Sequence, residues 1–161
     1  MANKTQADLN NTLASAVLDG YLQQVADTLK LGADPNSITR GGWPVIVAAS
    51  ADNRLEIVRL LVEAGANLEL AAEPRHRALH AAAANGSVEL IKLLIEAGAD
   101  ILARNGSGRT PLHIAVENNS KEAVLTLFLA APSATKVLDA YGASVLDSAK
   151  LRYDYRDLKK I

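Results

Sequence analysis

A short sequence element recurs along this chain at one constant spacing, called the period below. Its clearest copy runs from Thr110 to Ala115 (TPLHIA), and two looser copies begin at Arg77 and Pro44, one and two equal steps earlier. Glycines followed by Ala and then by Asp or Asn keep the same spacing, at Gly32, Gly65 and Gly98. A fixed period of this length predicts stacked supersecondary units, none of which buries its apolar face alone.

The order of residues inside one unit predicts a pair of short helices. Thr110 can cap the first turn, and Pro111 is tolerated at the first helical position, so a helix is expected to run to about Asn118. Beyond a polar turn, apolar residues recur every three or four positions and predict a second helix. Gly98 is expected to end the second helix of the preceding unit, because glycine accepts the left-handed conformation.

These elements resemble the ankyrin repeat, whose pattern pairs a T-P-L-H-x-A helix start with a later G-A-D turn. The resemblance covers residues 9–150 and implies an all-α solenoid of about five helix-hairpin units in a single domain, 1–161. It also implies that His80 and His113 form structural hydrogen bonds between neighbouring loops. The approximate units are 9–41, 42–74, 75–107, 108–141 and 142–161.

Both ends depart from the repeat in the way expected of caps. Asn11 and Thr12 stand where Thr and Pro belong, and near the other end the pattern restarts at Gly142, one position later than the period requires. We expect residues 150–161 to form a final helix with inward-facing apolar side chains, although a basic tail that seeks an anionic partner is the alternative. The inward residues would be Leu151, Tyr155 and Leu158.

Composition indicates a folded chain that interacts through local features. Apolar residues make up 49% of the 161 positions but aromatic residues only 4%, which favours closely stacked short helices. The net charge of −1 gives no general attraction to nucleic acid or acidic membranes, and the absence of cysteine excludes a disulfide framework. With neither a secretory signal nor a membrane-spanning run, we expect a cytoplasmic protein. Its polar terminal units fit a monomer, and its degenerate motifs fit a bacterial source.

The sequence offers little support for catalysis or for a cofactor. His76 and His80 are close enough in sequence to begin a zinc site, but no third ligand is evident nearby. The Asn105 to Gly108 segment lacks the Lys-Ser/Thr of a phosphate loop and is better interpreted as a hairpin tip. No serine, histidine and acid form a recognisable nucleophilic set. We therefore predict a protein that is not an enzyme and that binds neither a metal nor a cofactor.

The resemblance implies three surfaces: hairpin tips between units, a concave face from the first helices and a convex face from the second helices. At the tips, arginines surround the only tryptophan, and Trp and Arg are the residues that most often supply binding energy. This set contains Arg40, Trp43, Arg75, His76, Arg77 and Arg109. The alternative for Trp43 is that the indole shields a junction between units.

A second, acidic to polar column stands at the ends of the first helices. It contains Asp52 and Asn85, with Glu117 beside it. These side chains either cap and hydrate the helix ends or form a charge stripe that selects the partner. In the connectors after the G-A-D turns, Leu70 and Leu102 are surplus to the expected core, and they either leave an apolar patch or pack against each other.

The sequence thus predicts a protein that binds another protein through its hairpin tips and concave face. The alternative is an inhibitor or regulator of a partner enzyme, such as a bacterial immunity protein that neutralises a toxin. Both functions are expectations from the resemblance and from the absence of a catalytic set, since a fold alone does not dictate function.

Overall fold

A computed structural model of the chain describes residues 5–150. Nearly all of the predicted final helix therefore lies outside the described residues. The helices are Gln6–Asp19 (α1), Leu22–Lys30 (α2), Val45–Ala51 (α3), Leu55–Glu63 (α4), Ala78–Asn85 (α5), Val88–Glu96 (α6), Pro111–Glu117 (α7), Lys121–Ala130 (α8) and Val145–Lys150 (α9). A short 3-10 helix follows α8 at Pro132–Lys136.

The helices form two layers of a solenoid. In one layer α1, α3, α5, α7 and α9 contact one another in sequence, and in the other α2, α4, α6 and α8 do the same. The two helices of each pair, such as α5 and α6, also contact each other. The predicted all-α solenoid is confirmed, with one small addition: Ala71–Ala72 (β1) pairs antiparallel with His76–Arg77 (β2). The unit boundaries stay a prediction.

Periodic burial explains why the second helices lie between their neighbours. In α4, Ile57, Val58 and Leu61 are at most 3% exposed, and Leu90, Ile91 and Leu94 take the same places in α6. Full burial of each such side chain contributes about 2 kcal/mol. Helices α3, α5 and α7 are buried on almost every side, and α3 and α5 are rich in alanine.

The helix ends follow a second periodic rule. Gly98 has φ 92°, so the left-handed conformation predicted after α6 is confirmed. The turn between the two helices of a pair also needs a left-handed residue. Gly20 and Gly86 fill that position in two units, and Asn53 and Asn119 fill it in the other two, with φ of 55° and 57°. Asparagine is among the few residues besides glycine that adopt this conformation at modest cost.

A ladder of hydrogen bonds joins the connectors of successive units. The side chain of Asn36 accepts from the backbone N–H of Asn67 at 2.7 Å, and Glu69, one period later, accepts from Asp100 at 2.9 Å. Leu102 holds the next position. In the next unit the 3-10 helix Pro132–Lys136 replaces the turn whose N–H would donate to this position, so a leucine without an acceptor is tolerated. The side chain of Leu102 is 40% exposed.

Candidate functional site

Four hairpin tips lie along one edge of the solenoid. We name them by unit: the second tip is 39–43, the third 72–76, the fourth 105–109 and the fifth 139–143. Three of them begin with a buried side chain that accepts hydrogen bonds from the amides of the tip. These acceptors are Thr39, Asn105 and Asp139.

The third tip begins with Ala72, which has no side-chain acceptor. At the fourth position of the tip, where Gly42, Gly108 and Gly142 are left-handed, Arg75 adopts the same conformation with a φ of 64°. The third tip therefore keeps the left-handed turn of the other three but lacks their internal side-chain acceptor.

The third, fourth and fifth tips are tied together through their backbones. The N–H of Gly106 donates to the carbonyl of Pro74 at 2.6 Å, and the N–H of Ala140 donates to the carbonyl of Ser107 at 2.9 Å. Within residues 5–150, no equivalent backbone bond joins the second tip to the third. The edge of the solenoid is thus open between these two tips.

Trp43 stands beside this opening and contributes to two grooves. One groove, of about 310 Å³, lies toward the first unit and includes Leu18, Ala48 and Asp52. The other, of about 370 Å³, lies toward the third unit and has mostly small or apolar walls. Its lining residues are Trp43, Val47, Ala51, Glu73, Pro74, His76, Ala81, Ala84 and Asn85.

The indole is only partly covered by this packing. Trp43 is 40% exposed, and its ring N–H makes no hydrogen bond to the described residues. The predicted alternatives for Trp43, shielding of a junction and contact with a partner, are therefore both compatible with its position.

Two of the predicted arginines have partners inside the chain. Arg77 pairs with Glu69 at 2.9 Å between Nε and Oε2, and its Nη1 donates to the carbonyl of Arg104 at 3.4 Å. Arg109 pairs with Glu117 at 3.1 Å and lies 3.6 Å from Asp139. These contacts connect the tips to each other and to the end of α7.

Asp139 is the most buried acid of this network. Its carboxylate accepts the N–H groups of Ala143 and Tyr141 at 3.0 and 2.8 Å. These two hydrogen bonds, followed by the guanidinium of Arg109, lower the pKa of Asp139 below its usual range despite its burial. Asp139 is therefore a structural anion that orders the fifth tip.

Arg40 and Arg75 differ from the paired arginines. Both are exposed, and neither makes a hydrogen bond or an ion pair within the part of the chain that the structure describes. Arg40 borders a cleft of about 280 Å³ with Asp19 and Ile38. Among the predicted tip residues, these two guanidinium groups keep their donors available.

The polar column at the ends of the first helices takes part in contacts between units. Asn85 donates from Nδ2 to the carbonyls of Ser50 and Ala51 at 3.0 and 2.9 Å, so it caps the end of α3. Asp52 pairs with Arg54 at 3.3 Å, and Arg54 in turn donates to the carbonyl of Leu18 at 2.8 Å. Asn85 and Arg54 thus donate to carbonyls at the ends of α3 and α1 and join neighbouring units.

His80 forms the bond between loops that the resemblance implies. Its Nδ1 accepts from the N–H of Arg77 at 3.3 Å, which leaves Nε2 to carry the proton and donate to the carbonyl of Arg109 at 3.0 Å. Burial lowers the pKa of His80 to about 4, although the Arg109 carbonyl opposes this shift. His80 is therefore neutral at physiological pH.

The corresponding bond of His113 is not formed with regular geometry. Its Nδ1 lies within hydrogen-bond distance of the Thr110 N–H and hydroxyl, at 3.2 and 2.9 Å. Its Nε2 is buried without a hydrogen-bond partner among residues 5–150. Burial lowers the pKa of His113, and the nearby Ala143 carbonyl opposes this shift. His113 thus lies beside the carbonyl of Ala143 in the following loop but makes no regular hydrogen bond to it, at the step that is one residue longer than the period.

His76 and His80 lie close together, with ring centroids 5.6 Å apart. His76 Nε2 lies 3.5 Å from the side-chain nitrogen of Asn105, and burial lowers the pKa of His76. No group of three potential ligands for a metal ion is found in the described range. Nor does any helix within it combine the length and apolarity required to cross a membrane.

Sequence reasoning missed the walls of the grooves. It assigned the concave face to the first helices and named Asp52 and Asn85 at their ends. It did not name Ala84, which is exposed, or Ala51, which is half-buried, although both line the groove beside Trp43. The row of alanines on the first helices is the sequence signal that could have indicated the groove. Because an alanine side chain is small, it leaves an open space on the helix surface wherever no neighbouring side chain fills it.

These observations define a solenoid of stacked helix pairs with a row of hairpin tips along one edge. A family model described as ankyrin repeats (3 copies) matches residues 13–105 and 48–140. No curated protein matches the sequence. The chain belongs to the ankyrin repeat family, whose domains are generally modules for protein–protein interaction and are typically not enzymes.

Proposed function

We propose that this protein binds a partner protein through Trp43, the two grooves beside it and the exposed Arg40 and Arg75. The observation that carries the proposal is the position of the indole, which is 40% exposed between two grooves. A ring in this position offers a partner one projecting anchor and two adjacent recesses. Such complementary shapes are typical of the central residues of interfaces.

The remaining predicted residues have two roles in this proposal. His76, Asp52 and Asn85 line the grooves, so they would contact side chains that enter them. Arg77, Arg109 and Glu117 are half-buried ion-pair partners, and they would support the surface mainly by holding the tips in place. We further propose a cytoplasmic monomer of bacterial origin, on the grounds of composition, polar terminal units and degenerate motifs.

The exposed part of Trp43 is large enough to matter for affinity. Covering 40% of a side chain of roughly 250 Å² would remove about 100 Å² from water, which is worth about 2.5 kcal/mol. Removal of the indole is therefore expected to weaken binding by tenfold or more.

The test is capture of the partner by wild-type protein and by Trp43→Ala. The partner is first isolated from a lysate of the native organism and identified by mass spectrometry, and its affinity for both proteins is then measured. Tyr141→Ala is the matched control, since Tyr141 is an aromatic residue of the fifth tip that is 80% exposed. We expect Trp43→Ala to remain folded by circular dichroism and to lose affinity, and Tyr141→Ala to lose none.

Unchanged capture together with a large fall in melting temperature would assign Trp43 to packing alone. If the captured partner is an enzyme, its activity with and without this protein distinguishes an inhibitor from a scaffold.

A further inference from the structure

We propose that a second surface on the hairpin tips, separate from the Trp43 grooves, binds the carboxylates of an acidic segment on the partner protein. This surface, the basic cleft, has a volume of about 570 Å³ and includes Arg75, Arg77 and Arg104. Among its other lining residues, Ala103, Gly106 and Gly108 are small and Leu102 is apolar. The inference rests on the proposed function because it names the chemistry of the protein that binds there.

The charges around the cleft do not cancel. Asp100 is the only acid among the residues that line it, and its Oδ1 already accepts the N–H of Leu102 at 2.9 Å. The charge of Arg77 is matched by Glu69, which stands just outside the lining. Arg75 and Arg104 therefore remain as two cations against one carboxylate.

Both cations keep donors for a ligand. Arg104 uses Nη1 to donate to the carbonyl of Leu138 at 3.0 Å, and Arg75 makes no hydrogen bond within residues 5–150. A guanidinium has five N–H donors in a planar fork that matches a carboxylate. One or two carboxylates of a bound segment would satisfy these donors.

The neighbouring acids do not neutralise this pair. Glu73 is close to Arg75 in sequence, but it lines the groove beside Trp43 and not the cleft. Asp139 precedes Ala140 of the cleft wall, and its charge is directed to Arg109 and to the amides of its own tip. The local excess of positive charge therefore persists after the surrounding ion pairs are considered.

The cleft is built on the rigid part of the edge. Its walls come from the third, fourth and fifth tips, which the Gly106–Pro74 and Ala140–Ser107 backbone bonds join. A Cβ atom on Gly106 would lie 2.8 Å from the Pro74 carbonyl oxygen, and one on Gly108 would lie 2.8 Å from the Ala140 nitrogen. The tips thus approach as closely as glycine permits, and a ligand meets a site that needs little further ordering.

Continuity with the Trp43 grooves favours a protein segment as the occupant. Glu73, Pro74 and His76 of the third tip face the groove, whereas Arg75 of the same tip and the adjacent Arg77 face the cleft. One segment that crosses the third tip would place an apolar side chain beside Trp43 and acidic side chains in the cleft. A net charge of −1 over the whole chain gives a long nucleic acid no comparable general attraction.

The test uses the full-length protein labelled with ¹⁵N and a hexaglutamate peptide, with hexaglutamine as the uncharged control. Chemical shifts of backbone amides are followed during titration at low and high salt. We expect hexaglutamate to shift the amides of Arg75 and of the fourth tip and hexaglutamine to shift none, and we expect salt to weaken the effect. Arg75→Gln should weaken binding roughly two- to fivefold, as for the loss of one exposed ion pair.

Arg59→Gln is the matched control, because Arg59 is an exposed arginine on α4 that lines neither the cleft nor the grooves. Equal losses for Arg75→Gln and Arg59→Gln, or shifts spread evenly over all arginines, would overturn the proposal. Stronger shifts with inorganic phosphate than with hexaglutamate at equal concentration would also overturn it, since they would assign the cleft to a phosphate group.

Trp43→Ala separates this inference from the proposed function. We expect Trp43→Ala to bind hexaglutamate as the wild type does, because Trp43 does not line the cleft. If partner capture depends on Trp43 while hexaglutamate shifts no amide, the cleft inference alone is wrong. If hexaglutamate binds at the cleft while Trp43→Ala captures the partner normally, the proposed Trp43 surface alone is wrong.

Discussion

Acid is expected to destabilise this protein through His80. The folded protein holds the pKa of His80 at about 4, below the ordinary 6.5, because the ring is fully buried. The unfolded chain therefore takes up a proton as the pH falls through 6.5, while the folded chain resists until about pH 4. This contribution to stability is complete above pH 6.5 and is lost between these two values.

The size of this loss follows from the change in the pKa. A tenfold change in proton affinity corresponds to about 1.4 kcal/mol, so the fall of the pKa from 6.5 to about 4 amounts to about 3 kcal/mol. His113 and His76 also have lowered pKa values and add to the loss in the same direction. The pKa of Asp139 is lowered from 3.8, so its stabilising effect is lost only below that pH and lies outside this window.

The assay is urea denaturation followed by circular dichroism at pH values between 7.5 and 4.5. His80→Gln keeps an N–H donor for the Arg109 carbonyl but loses the packed ring, so we expect it to be less stable than the wild type at pH 7.5. Because it lacks the titrating imidazole, its stability should depend less on pH. Over this range the wild type should lose roughly 2 to 3 kcal/mol more than His80→Gln. Parallel pH profiles for the two proteins, or a His80 ring that titrates near 6.5 by NMR, would refute the reasoning.

Two further predictions concern the junctions between units. Gly108→Ala should destabilise the protein by clearly more than Gly32→Ala, because a new Cβ at 108 would lie 2.8 Å from the Ala140 nitrogen and one at 32 would meet nothing within 4 Å. Both glycines have positive φ, so Gly32→Ala measures the conformational cost alone, about 1 kcal/mol, in the same urea titration. Asn85→Asp should cost roughly 0.5–1.5 kcal/mol at pH 7, because it replaces the exposed donor to the Ser50 and Ala51 carbonyls by an acceptor of the same shape. A melting temperature equal to that of the wild type would show that water replaces this cap.

The helices could be predicted because their rules are local and repeated. Thr110 and Pro111 mark the start of α7, and Gly98, with φ 92°, follows the end of α6, as the sequence indicates. The same residue types recur one period later, so several weak signals support one register. The inward faces of α4 and α6 could be predicted for the same reason.

The charge pattern of the tips could not be predicted in this way. When residues one period apart are aligned in columns, Arg109 falls among the cations of the tips and Glu117 falls in a different column. The two side chains nevertheless form an ion pair at 3.1 Å. Likewise, Glu69 lies in a different column from Arg77, yet their side chains form an ion pair at 2.9 Å. Ion pairs depend on how side chains from two columns meet in space, and a periodic alignment compares residues only within one column.

At the third tip, the residues proposed to bind a partner coincide with departures from the repeat, where the regular contacts between units are absent. Thr39, Asn105 and Asp139 each order a tip from within, and Ala72 interrupts this series. Among the described residues, the backbone tie to the preceding tip is absent at the same point, and the groove beside Trp43 is found there. Regular positions thus maintain the stack, while irregular ones create the surfaces proposed to bind a partner. It follows that substitutions around the third tip should alter partner choice more than stability, whereas those at the periodic contacts should do the reverse.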